Sequence, residues 1–270
     1  MDGTVVGWVD DQRAERLAEF VDVLVVDNDQ LRFVPRLLTA PARTDAMEAL
    51  ARRLSAEGAC SAWRNERYAV VREFGDQAHF ELERSAARYF GIRTFATHIN
   101  GLVRTADGVR MWLGRRSPHK AVDPGLLDNM VGGGIPAGAS VEATMIKEAG
   151  EEAGIPAVVA ATSRAVGTLR ICRAHPKGLE RETVYVHDLW LDPEFAPAGI
   201  DGEVVEFRLE RLLDAARLAC NRDGEDVVTA DASLVIVDCL MRYGFIAAGS
   251  EDHAALDALR RVSLEPGNRV

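Results

Sequence analysis

Three glycines run straight into a helix-like segment at residues 132–155, GGGIPAGASVEATMIKEAGEEAGI, and this stretch limits the fold most tightly. Gly132, Gly133 and Gly134 allow positive φ and a close approach of backbone to whatever lies opposite. Ser140 reads as an N-cap, Gly154 as a C-terminal stop and Pro156 as a barrier beyond it, so a helix is expected between them. On that helix Glu148, Glu151 and Glu152 fall within about 100° of one another, three like charges at i, i+3 and i+4 on one side.

A solvated acidic face with Lys147 as local compensation is the bland account of this pattern. The charges repel unless a cation sits among them, and hard oxygen donors suit Mg²⁺ or Mn²⁺. A glycine-rich segment before a helix can also present N–H groups to an anion. A dinucleotide fingerprint is not met, since Ala137 stands at its third glycine and no βαβ unit with a well-placed acid follows, and a Walker A loop is not met because no G-K-[ST] closes the run. Glycines followed by a carboxylate triad point to metal-assisted chemistry on a phosphate.

Length and charge narrow the setting. A chain of 270 residues, 47% hydrophobic, can bury one large core or two small ones, and a net charge of −10 argues against nonspecific nucleic-acid binding. No apolar run approaches the ~18 residues that span a bilayer, and the opening MDGTVVGWVDDQRAERLAEF has early acids and no apolar signal core, which reads as a cytoplasmic soluble protein. Cys60, Cys172, Cys220 and Cys239 form no C-x-x-C pair, so buried free thiols are expected.

Along the first 90 residues, FVDVLVVDND and RYAVVREF read as strands, TDAMEALARRLSAEG as a helix from Thr44 to Gly58, and FELERSAARYFGI as a helix closed by Gly91. From residue 93 the pattern turns β-rich: two runs flank ADG, a hairpin turn with Gly108 available for positive φ. LDNMVGGGIPAG reads as a short strand breaking into glycines, RAVGTLRICRA and ETVYVHDLWL as an antiparallel pair, DGEVVEFRLERLLDAARLA as strand then helix, and DASLVIVDCLMRYGFIA as a buried helix. The expected organisation is α+β, with a small α+β domain at 1–92 and a second domain at 93–270 ending in a helical extension.

The glycine–helix segment resembles the Nudix box, G-x5-E-x7-R-E-U-x-E-E-x-G-U, with Gly133, Glu148, Ala149, Glu151, Glu152, Gly154 and Ile155 in register. Two positions depart: Ala139 stands at the first glutamate and Lys147 at the arginine, a pair that helps brace loop and helix in the family. A longer signature, W-x3-R-S-x2-K-x3-P-G-x2-D-N, is met by Trp112, Arg116, Ser117, Lys120, Pro124, Gly125, Asp128 and Asn129. With FGIRTFATHINGLV and DGEVVEFRL, it is similar to the Nudix subfamily related to thiamine pyrophosphokinase, whose members carry an extra N-terminal domain.

The resemblance implies an α/β/α sandwich with a mixed sheet, a small α+β domain before it, and a Mg²⁺- or Mn²⁺-dependent pyrophosphohydrolase. Its substrate would be a small organic diphosphate such as thiamine diphosphate or its damaged analogues. An ADP-ribose-like substrate, or a weakly active binding module, are the alternatives. By the same resemblance Glu148, Glu151 and Glu152 are catalytic and hold metal, and Glu203 of the D-G-E-V match joins them unless DGEVVEF serves only as a turn. Arg115, Arg116, His119 and Lys120 form a cationic island. Arg115, Arg116 and Lys120, with Gly133, Gly134, Asp128 and Asn129, are the expected substrate-binding residues. Trp112 is either core or a stacking platform, His98 and His187 read as packed or surface-exposed rather than catalytic, and a homodimer is a further implication of the family.

Overall fold

A computed structural model describes residues 3–60 and 63–259. The chain divides into two compact units: residues 1–95 with 136–138 and 172–182, and residues 96–135 with 139–171 and 183–270.

The first unit contains α1 (Asp11–Ala18), the hairpin β1 (Leu24–Asp27) and β2 (Gln30–Phe33), α2 (Ala40–Ala56), and the antiparallel pair β3 (Arg67–Val70) and β4 (Phe80–Glu83). Asn28 and Asp29 both take positive φ, 49° and 58°, which lets a two-residue turn join β1 to β2. Helix α2 begins a turn before Thr44: Thr39 caps it, accepting from the Ala42 N–H at 3.3 Å, and Pro41 is tolerated in the first turn. Thr44 instead lies inside the helix, its hydroxyl accepting the Glu81 N–H at 2.9 Å. The helix expected over FELERSAARYFGI is strand β4 followed by a 3-10 turn at Arg84–Ala86. Alternation decides it, because Phe80 and Leu82 both enter the core while the Glu83 carboxylate takes the N–H groups of Arg64 and Ser85.

In the second unit lies most of a seven-stranded mixed sheet ordered β11-β6-β5-β10-β9, with β7 on β6 and β8 on β5. The strands are β5 (Arg93–Thr105), β6 (Gly108–Arg116), β7 (Leu127–Asn129), β8 (Val131–Gly134), β9 (Arg164–His175), β10 (Gly178–Leu191) and β11 (Val204–Arg211). The Thr105–Gly108 turn closes the β5–β6 hairpin as expected, with Gly108 at φ 121°. Helices α3 (Val141–Ala153) and α4 (Ala157–Ala160) cover one face against Ile99, Val103, Met130 and Leu189. Helices α5 (Leu212–Cys220) and α6 (Ala230–Arg242) cover the other against Leu102, Met111, Leu113 and Leu127. Strand alternation produces both cores, since Leu102 and Val103 point to opposite sides. Helix α7 (Glu251–Leu259) follows. No helix among the described residues is long and apolar enough to cross a membrane.

The glycines differ from expectation. Gly132, Gly133 and Gly134 are not a broken loop with positive φ; they complete β8, paired with His98, Thr97 and Ala96. The cysteines differ as well: all four are free, but Cys172 is half-buried and Cys220, the last residue of α5, is exposed. Ser140 does cap α3, its Oγ accepting the Ala143 N–H at 3.0 Å. Ser140→Ala is expected to lower folding stability by about 0.5–2 kcal/mol, measured by urea unfolding.

Candidate functional site

The glycines are needed for proximity. A Cβ on Gly133 would stand 2.5 Å from Glu148 Cγ, so only a bare backbone lets the carboxylate helix lie this close to β8. Beside it, the Gly132 N–H donates to Glu152 Oε2 at 2.9 Å. At its far end α3 stops at Gly154, φ 65°, and the next loop supplies the missing donors: the Ala198 N–H reaches the Ala153 carbonyl at 3.1 Å and the Ile200 N–H the Glu151 carbonyl at 2.9 Å. The same loop turns at Asp201, whose carboxylate accepts the Glu203 N–H at 2.8 Å. Asp201 therefore serves the turn. The Ser117 N–H then donates to the Glu203 carbonyl at 2.8 Å, holding the residues after β6 beside the start of β11.

Glu203 is thereby brought toward Glu152 through Lys120. Lys120 Nζ lies 3.1 Å from Glu152 Oε1 and 2.5 Å from Glu203 Oε2. Lys147 makes the matching bridge on the other side, 3.1 Å from Glu148 Oε1 and 2.6 Å from Glu151 Oε2. Four carboxylates are thus held in two pairs, each by one ammonium. Glu152 is the most enclosed, its side chain 4% exposed against 46% for Glu151. Burial pushes its carboxyl up from 4.5 to about 7, with Asp128 adding to the rise, while Lys120 and the Gly132 N–H oppose it. The Lys147 ammonium is held above its ordinary range by hydrogen bonding first to Glu151, then to Glu148.

The expected cationic island is largely neutralised. Arg115 donates to Glu206 and Asp226, each at 2.6 Å, and to the carbonyls of Gly125 and Glu225. Arg116 bonds Asp128 at 2.7 Å and the carbonyls of Val122 and Asp123, clamping the loop between β6 and β7. His119 is exposed. Asp128 also accepts the Asn129 N–H at 2.8 Å. Gly133 and Gly134 sit within the sheet, and Trp112 is half-buried against the α3 core, its indole N–H without a hydrogen-bond partner among the described residues.

A polar line with no counterpart among the sequence-based expectations crosses the sheet interior. His98 Nδ1 meets Asn129 Oδ1 at 2.8 Å, the Asn129 amide donates to Asn100 at 3.4 Å, and the Asn100 amide donates to Asp188 at 2.9 Å. All four residues are buried. The His98 ring also lies against Gly132, where an added Cβ would meet it at 3.1 Å. The available signal was an asparagine and an aspartate inside otherwise apolar strands, INGLV and VHDLWL. His187, beside Asp188, is packed as expected, 3.3 Å from Thr97, its pKa lowered by burial.

The donor set of Glu148, Glu151, Glu152 and Glu203 fits a hard divalent cation in kind, and the two ammonium groups already place positive charge among these oxygens. Among the described residues no three such side chains form a ready-made metal cluster. The lysines are therefore competitors for that position.

Helix-flanked sheet and carboxylate helix together define a class, the Nudix-type hydrolase fold. The NUDIX domain family matches residues 95–231, and a domain of unknown function, DUF4743, matches residues 1–94. Nudix hydrolase 20, chloroplastic, of Arabidopsis thaliana is 34% identical over 267 residues, covering 96% of this chain and 70% of that protein. Nudix hydrolase 24, chloroplastic, of the same plant is 37% identical over 220 residues, covering 82% and 59%. An uncharacterized protein of Saccharomyces cerevisiae is 30% identical over 226 residues, covering 77% and 64%. The chain belongs to the Nudix family, and with that membership to its pyrophosphohydrolases.

Two outcomes are expected of this site. Lys147→Met removes one competing charge and should tighten Mn²⁺ binding by about three- to tenfold, read by electron paramagnetic resonance of free Mn²⁺. In chelator, the folded protein binds a proton at Glu152 more tightly than the unfolded chain does. Folding stability should then fall as pH rises from 4.5 to about 7, and Glu152→Gln should remove that slope from urea-unfolding series.

Proposed function

We propose that the chain hydrolyses a small organic diphosphate, thiamine diphosphate or a damaged analogue of it, to the monophosphate and phosphate. The observation that carries this reading is the carboxylate set on α3, with Glu203 held beside it through Lys120. The signature from Trp112 to Asn129 supports placement in the subfamily related to thiamine pyrophosphokinase, and with it the choice of substrate.

Glu148, Glu151, Glu152 and Glu203 would hold Mg²⁺ or Mn²⁺, which when bound neutralises charge on the diphosphate oxygens. Glu152 has both oxygens engaged and little exposure, which suits a fixed holding role. Glu151 is the more open carboxylate and suits receipt of the proton from the attacking water. Water adds at phosphorus, the bridging P–O bond breaks, and the leaving phosphate takes the electron pair. Lys120, released from its carboxylates, would donate to a phosphate oxygen.

ADP-ribose is the alternative substrate, and a weakly active binding module is favoured specifically by Ala139 and Lys147, the two departures from the box. A panel of thiamine diphosphate, its oxidised analogue and ADP-ribose, assayed for monophosphate with Mg²⁺, with Mn²⁺ and with chelator, separates these readings. Metal-dependent turnover of a thiamine compound is expected, with Glu152→Gln reducing it about 100-fold or more while circular dichroism is unchanged. Normal turnover by that variant would remove Glu152 from the chemistry; silence across the panel with ligand still bound would favour the binding module.

A further inference from the structure

A cavity on the α6 face of the sheet shares no residue with the carboxylate set. It measures about 610 Å³ and is lined by the segment entering β9, by Asp188 and Trp190 of β10, and by Arg242 and Tyr243 at the end of α6. That volume is within the range of small-molecule sites, roughly 300–1,000 Å³.

Its floor is a buried ion pair. Asp188, 4% exposed, accepts both terminal nitrogens of Arg242 at 2.5 and 3.0 Å, and the Tyr243 hydroxyl at 3.3 Å. Arg242 Nε is held by Asp238 at 2.7 Å. These bonds use three of the five guanidinium N–H groups, so each terminal nitrogen keeps one further N–H, on a side chain that is 23% exposed. The walls are aromatic: Trp190 and Tyr243 meet edge to face, centroids 6.0 Å apart, and the Arg104 guanidinium stands 4.2 Å from the Trp190 ring centre. At the rim Arg164 is exposed, and its side chain has no ion pair or hydrogen bond among the described residues. Two guanidiniums, Arg164 and Arg242, and one carboxylate, Asp188, thus line the hollow beside the two rings, a locally cationic, aromatic site in a chain of net charge −10.

Arginine donors at two sides and flat rings between them select for charge and planarity together. We propose that this cavity is a second ligand site, taking a nucleotide-sized aromatic ring that carries a phosphate or carboxylate. The ring lies against Trp190 and Tyr243, and the anion is received by Arg164 and the remaining N–H groups of Arg242. The assignment is independent of the hydrolase substrate, because it uses none of the residues on α3.

The test is calorimetric titration of the full chain, in chelator, with AMP, UMP and thiamine monophosphate, and with adenosine and inorganic phosphate as the two halves of such a ligand. At least one monophosphate should bind once per chain, with both halves weaker by about tenfold or more. Arg164→Glu, and Ala165→Trp which fills the hollow from an exposed position, should each weaken it by about tenfold or more, with circular dichroism unchanged. In protein labelled with 5-fluorotryptophan, the fluorine resonance assigned through Trp190→Phe should move on binding. No binding by any of the three monophosphates overturns the proposal. So does binding that survives both variants, or phosphate binding as tightly as the monophosphates.

Discussion

The candidate site depends on a contact that exists because two side chains are missing. At Gly133 the backbone of β8 meets Glu148 with no room for a Cβ, and at Gly132 the neighbouring N–H bonds directly to Glu152. Helix α3 is therefore fixed to the sheet through its Glu148 and Glu152 carboxylates as well as through Met145, Ala149 and Ala153. Such a junction trades the tolerance of an apolar interface for positional precision, because a carboxylate bonded to a strand N–H cannot slide along it. The loop at 198–203 then inherits that position by capping the other end of the helix.

Electrostatics follows from the same geometry. Holding four glutamates near one another costs free energy without cations, and Lys120 and Lys147 supply them from within the chain. The two bridges differ in kind. Lys147 is 58% exposed and pairs along the helix surface, where water weakens the interaction. Lys120 is 14% exposed and pairs with a buried acid, where loss of either partner leaves an unanswered charge. The nearby arginines bond other carboxylates and backbone carbonyls instead. Arg115 and Arg116 stitch β6 to β11, to the segment before α6 and to the Asp123 loop, building the frame that carries Lys120.

Local chemistry was legible in the chain where one residue type has one structural use. Ser140, Gly154 and Gly108 announced a cap, a stop and a turn, and each occupies that place. The sheet-and-helix plan followed from periodicity. What was hidden depended on partners distant in sequence. Phe80–Glu83 carries residues that suit a helix, and its pairing with β3 makes it a strand. Three consecutive glycines favour a loop locally, and only β5 alongside turns them into a strand. Arg115 and Arg116 read as free cations until Glu206, Asp226 and Asp128, up to 111 positions away, are folded onto them.

The polar line from His98 through Asn129 and Asn100 to Asp188 has a consequence for how such a chain can change over generations. Each member answers the hydrogen-bonding capacity of the next inside the sheet. Replacing one member strands its neighbour, at about 1–3 kcal/mol for each buried group left unpaired, a large part of what holds a domain together. Replacing two adjacent members at once can leave none stranded. Descendants of this sequence should therefore inherit these positions in matched sets, so that the history of the interior is written in pairs.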